Sequence, residues 1–167
     1  VLDEVRAAAA DAEKFYRYAV QLQKVASFYN TLGAEIVLSG RKVEKLQTVA
    51  AEILEDGGKV SYYAFDIRDE DAVKANVAEA LKAGPITGLV NNAAGNFVSR
   101  TEDLSSRAFD AIANIVFRGS FYMTLECGKR WLAEGRKASV ISILTTWVWN
   151  GSAFTVPSAM AKAGLHA

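Results

Sequence analysis

The chain has 167 residues, of which 51% are hydrophobic, and its 19 basic side chains cancel its 19 acidic ones. That length suits one domain with a sizeable core, and the charge balance gives no reason to expect nucleic acid or an anionic membrane as partner. One cysteine, Cys127, and one histidine, His166, leave no parts for a disulfide framework, a zinc site or a Ser/His/Asp triad, so no metal site is expected.

No apolar run approaches the ~18 residues of a membrane span, and no signal-peptide pattern opens the chain. A lone thiol suits a soluble protein of a reducing, intracellular compartment. Cys127 itself lies in a helical stretch with no histidine beside it and reads as an inert, part-buried thiol.

Residues 1–32 hold neither glycine nor proline, and apolar side chains recur at Val5, Ala8, Ala12, Phe15, Ala19 and Leu22 with the spacing of one helix face. This predicts a long N-terminal helix, started near Asp3 and Glu4 and stopped at Gly33, able to cover a sheet face or join a second copy of the chain. The pattern then alternates. AEIVLSG (34–40) predicts a strand, VEKLQTVAAEILED (43–56) a helix ended by Gly57 and Gly58, and KVSYYAFD (59–66) a second strand. DEDAVKANVAEALKAG (69–84) predicts a helix and ITGLVNN (86–92) a third strand. A helical region follows over about 104–134, with Gly119 marking a close helix contact. ASVISIL (138–144) predicts a buried fourth strand, and a last helix starts near Pro157. Strands separated by helices imply a parallel sheet covered on both faces, a three-layer α/β sandwich.

In such sheets ligands lie beyond the carboxyl ends of the strands, which singles out three places. After the first strand stand Arg41 and Lys42, readable as a solvated helix start or as contacts to a cofactor's 2′-phosphate. After the second, Asp66 is open to two roles, capping the next helix or touching an adenine. After the third comes NNAAGNF (91–97), whose small residues let the backbone approach a ligand closely. The fourth strand opens into LTTWVWNGSAFTVPSAMAKAG (144–164), a loop with two tryptophans and several hydroxyls leading to a helix with one lysine, Lys162.

Together NNAAGNF, FYMTLECGKRW, ISILTTWVWNGSAF and VPSAMAKAG resemble a short-chain dehydrogenase/reductase of the 2,4-dienoyl-CoA reductase type, from about Lys24 onward. The resemblance implies a Rossmann-like fold, NADPH as hydride donor and an unsaturated fatty acyl-CoA as substrate. It places Asn91 beside the cofactor and Asn96 on the thioester or dienolate oxygen. It further implies that Lys162 would hold the nicotinamide ribose and lower the pKa of a neighbouring phenol, with Ser158 supporting that phenol.

Three features depart from the family pattern. The residue matching the tyrosine is Trp147, and an indole donates a hydrogen bond but does not ionise usefully. The glycine-rich turn that would hold a pyrophosphate falls among Tyr16, Arg17, Tyr18, Val20 and Leu22, none of them glycine. The later family strands and the lobe enclosing the acyl chain have no counterpart before Ala167. The expectation is therefore one truncated Rossmann-like domain over 1–167, with 1–32 a non-family helix and 34–167 a partial reductase fold. Its four-stranded parallel sheet, in the order second–first–third–fourth, has edges that need covering. Two functions remain: an NADPH-dependent reductase, inactive as it stands, or a truncated or redesigned non-catalytic scaffold that folds and self-associates.

Overall fold

The structure, a computed structural model, describes Ala26, Asn30 and residues 32–167. Ala26 and Asn30 are helical. The rest of the predicted N-terminal helix, with its proposed role in self-association, lies outside the described residues. The chain divides into two compact units, Val1–Ala64 and Phe65–Ala167.

The first unit is a strand–helix–strand motif. Strand β1 (Ile36–Gly40) pairs in parallel with β2 (Val60–Ala64), Ile36 opposite Val60 and Gly40 opposite Ala64. Between them helix α1 (Val43–Glu55) buries Leu46, Ala50 and Ile53, positions four and three apart that share one helix face. The helix ends in a Schellman turn: Gly58 N–H donates to Ile53 O at 2.8 Å and Gly57 N–H to Leu54 O at 3.0 Å. That turn needs a left-handed residue, and Gly57 has φ +78°.

In the second unit, helix α2 (Glu70–Ala83) starts at Asp69, whose Oδ1 accepts from Ala72 N–H at 3.0 Å. Strand β3 (Gly88–Asn91) pairs in parallel with β4 (Ser139–Ser142), Asn91 opposite Ser142. The predicted helical region 104–134 resolves into α3 (Ser106–Ala113), a π-helical turn (Asn114–Arg118) and α4 (Gly119–Ala133). Within the π turn, Gly119 N–H bonds to Asn114 O, five residues back. A short α5 (Trp147–Asn150) and α6 (Val156–His166) follow β4.

Two clusters form the core of this unit. Val73 and Val77 of α2 meet Leu89 of β3 and Cys127 and Trp131 of α4, and the Trp131 indole N–H donates to Ile86 O at 2.7 Å, as a buried indole requires. Ile112, Val116 and Ala161 join α3, the π turn and α6. Cys127 is buried, and that burial, with Glu126 adding to it, pushes its thiol pKa up to about 11. Gly119 does mark a close contact, though with Ile67 in the segment after β2. A Cβ at Gly119 would lie 2.9 Å from Ile67 Cγ1 and Cγ2. Gly119→Ala is expected to cost about 1–3 kcal/mol by overpacking, seen as a lower urea midpoint with an unchanged slope.

Two expectations need correction. The strands form two separate two-stranded sheets, β1–β2 and β3–β4, and no ladder joins β1 to β3 among the described residues. A ladder requires backbones about 4.8 Å apart over several residues, and the alternation of strands and helices does not specify which strands pair. The fourth strand is also less buried than its apolar run suggests, with Val140 45% and Ile141 43% exposed. Val140 and Ile141 point to opposite faces of the strand, so among the described residues neither face of β4 is fully covered. No described helix is long and apolar enough to cross a membrane.

Candidate active site

Asn91 ends β3 and is 5% exposed. Its Nδ2 donates to Thr124 Oγ1 of α4 at 3.0 Å and, at 3.5 Å, towards Ser142 Oγ of β4. Its backbone carbonyl accepts from Ile143 N–H at 3.0 Å, extending the β3–β4 ladder one residue past the strand. The Asn91 Oδ1 and the hydroxyl of Ser120, one helix turn before Thr124, are buried with no hydrogen-bond partner among the described residues.

Ile143 is also where Lys162 arrives. Lys162 is 8% exposed on the second turn of α6, and its ammonium donates to Ile143 O at 2.7 Å and towards Leu144 O at 3.4 Å. Burial pulls its pKa below the ordinary lysine value, because an ammonium loses hydration there. Ser158, one turn earlier on the same helix, is buried as well. Pro157 in the first turn fixes the start of α6. One backbone unit at the carboxyl end of β4 thus touches two of the predicted residues, Asn91 through its N–H and Lys162 through its carbonyl.

The other predicted residues are arranged differently. Asn96 is half-buried, and its Oδ1 accepts from the Phe97 N–H at 3.0 Å, a bond within its own loop. Trp147 is half-buried at the start of α5. Asp66 does not cap α2, which Asp69 does. Its carboxylate accepts from Arg68 N–H and Nε, each at 3.0 Å, and this pairing raises the Arg68 pKa further. Arg41 and Lys42 are exposed on the first unit, and Lys42 is the N-cap residue of α1 without a side-chain cap bond. Thr124, Ser142 and Ser120 were not singled out by their sequence context. Thr124 and Ser120 lie four apart in one helix, a spacing that puts them on one face, but nothing in it says which face meets β3.

The profile of the short chain dehydrogenase family matches residues 23–167. The chain belongs to that family. A probable 2,4-dienoyl-CoA reductase of Caenorhabditis elegans is 39% identical over 145 residues, covering 85% of this chain and 47% of that protein. A short chain dehydrogenase from Bacillus anthracis superimposes with a TM-score of 0.81 at 34% identity, over 86% of this chain and 60% of its own. A metagenomic short-chain oxidoreductase solved in complex with NADP gives a TM-score of 0.76 at 27% identity, over 83% of this chain and 63% of its own. The chain spans about half the length of the curated relatives it matches. Within this member of the family, the motifs NNAAGNF and VPSAMAKAG occupy the strand end and helix described above. The chemistry of that place is two-sided. Lys162 and Asn91 are held rigidly by backbone and helix, and the loop over 144–155 contains no tyrosine.

Proposed function

We propose that the chain carries the holding half of an NADPH-dependent 2,4-dienoyl-CoA reductase site and lacks its proton donor, so that it binds without measurable turnover. The observation behind this reading is the junction at Ile143. Lys162 and Asn91 are both anchored to one residue, Ile143, and the family resemblance puts its phenol where the Trp147 indole stands.

The donor set suits a nicotinamide nucleotide in part. An ammonium has three N–H groups, and the bonds of Lys162 to two carbonyls leave one for a ribose hydroxyl. Asn91 would support the strand end beside it. Taken by itself, the first unit exposes Arg41 and Lys42, whose charge and, for the guanidinium, planar fork of donors suit a 2′-phosphate. Asp66, engaged with Arg68, has less freedom to meet an adenine. The positions of the pyrophosphate turn, Tyr16 to Leu22, lie outside the described residues. When bound, such a nucleotide supplies a hydride. Asn96, by rotating its amide out of the loop bond to Phe97, would orient a thioester oxygen of a fatty acyl-CoA. Ser158 would support whichever side chain stands at 147.

Protonation is the missing part. An indole N–H is too weak an acid to deliver a proton to a developing enolate, and Lys162 is turned towards backbone carbonyls. The relative named as a dienoyl-CoA reductase supports the substrate class, and the relative solved with NADP supports the cofactor class.

Calorimetric titration with NADPH, with NADH as the control, tests the reading. Micromolar binding that favours NADPH is expected. No heat at millimolar NADPH would reduce the proposal to ancestry and leave a folded, non-catalytic scaffold.

A further inference from the structure

We infer that Phe154 is a strained clasp joining the two loops that follow β3 and β4, and that its release opens the space between them. Phe154 has φ +63° and is the non-glycine residue with positive φ among the described residues. A bulky L-residue adopts that conformation only at a cost in backbone strain. Glycine would adopt it freely, as Gly151 does three residues earlier at φ +67°.

The strain is held from three directions. The Phe154 carbonyl accepts from Ser99 N–H of the loop after β3 at 3.2 Å. The Thr155 hydroxyl donates to Ser152 O at 3.0 Å, closing the turn around Phe154. Pro157, buried at the start of α6, fixes the chain on the carboxyl side. A return of φ to its usual negative range, taken up by ψ of Phe154 and the turn at Thr155 so that α6 stays in place, reorients the Phe154 carbonyl away from Ser99.

The two loops are thus bonded at both ends, within a ladder at one and by a single bond at the other. At the base, Ile143 N–H to Asn91 O continues the parallel ladder at 3.0 Å. At the tip stands the longer Ser99–Phe154 bond, next to the strained residue. Opening the tip loses one hydrogen bond and regains the strain, whereas opening the base breaks the sheet. Two such arrangements of similar free energy make a bistable element. The segment released carries Asn96 and the exposed Phe97 and Val98. The clasp belongs to the backbone of the second unit and does not depend on the activity proposed above.

Amide hydrogen exchange in the full chain without ligand tests it, with Ser99 as the reporter. Phe154→Gly removes the penalty for positive φ and is expected to slow Ser99 exchange about tenfold. Phe154→Val, β-branched and poorly suited to that region, is expected to speed it about tenfold. The buried amides of Val77 and Cys127 should keep their wild-type rates in both variants. Unchanged Ser99 exchange in Phe154→Gly overturns the clasp, whatever the valine variant does. If Phe154→Val also loses protection at Val77 and Cys127, it has unfolded, and the glycine result alone decides.

Discussion

Trp147→Tyr is expected to raise NADPH-dependent reduction of a 2,4-dienoyl thioester from background by about 10²–10⁴-fold, the usual contribution of a positioned general acid. The argument is one of chemistry at a fixed place. A phenol can donate a proton and exist as the phenolate, while an indole only donates a hydrogen bond. The buried cation of Lys162, tied to Ile143 and Leu144 just before the loop that carries residue 147, would favour the ionised phenol. Trp147 is half-buried, so the smaller ring removes little packing and the fold should survive, as circular dichroism would show. Loss of NADPH absorbance on adding the thioester measures the gain. If the variant binds NADPH and remains at background, residue 147 is not the place of the acid. If neither protein binds NADPH, the fault lies in the cofactor site, a different failure.

The second large effect concerns stability. Lys162→Met keeps the length of the side chain and removes the donors to Ile143 O and Leu144 O. Losing hydrogen bonds to these part-buried carbonyls costs about 1–3 kcal/mol, partly offset because methionine needs no hydration. A net loss of about 1–2 kcal/mol would lower the melting temperature by about 4–8 °C per kcal/mol for a unit of this size.

The pH dependence separates this from general damage. Burial holds the folded pKa of Lys162 below its ordinary value of 10.5. Between those two values the unfolded chain binds more protons, so this residue's contribution to stability rises with pH through that window. It falls away as pH drops through the lowered pKa. The advantage of the wild type over Lys162→Met should therefore grow as pH rises towards 10.5. Equal stability of the two proteins across that range would show that the lysine does not hold the end of β4.

The outcome at Lys162 also separates what is legible in sequence from what is not. Its presence on a helix after a hydroxyl-rich loop follows from local pattern, as do the face of α1 bearing Leu46, Ala50 and Ile53 and the glycine stop at Gly57 and Gly58. Each depends on residues within one or two turns of chain. That it meets the carbonyl of Ile143, 19 residues earlier, depends on how α6 lies against β4, which no local pattern encodes. The same is true of Asn91 and Thr124, 33 residues apart.

Other features went unread for more specific reasons. The π turn over Asn114–Arg118 has the same apolar spacing as the helices flanking it, so the sequence shows one long helix. Asp66 and Asp69 are both plausible caps by composition, and only the path of the chain out of β2 decides that Asp66 turns to Arg68 while Asp69 receives the Ala72 N–H. Phe154 gives no glycine signal, and its positive φ is not readable from its residue type.

By itself the sequence determined the alternation of strands and helices and the family motifs, because side-chain periodicity and residue chemistry are local properties. Tertiary structure alone decided that the strands pair as two separate ladders, that Val140 and Ile141 stay exposed, and that Asn91 and Lys162 converge on Ile143. The physical reason is that strand pairing and the satisfaction of buried polar groups are set by distances across the fold, between segments whose own sequences do not specify their partners.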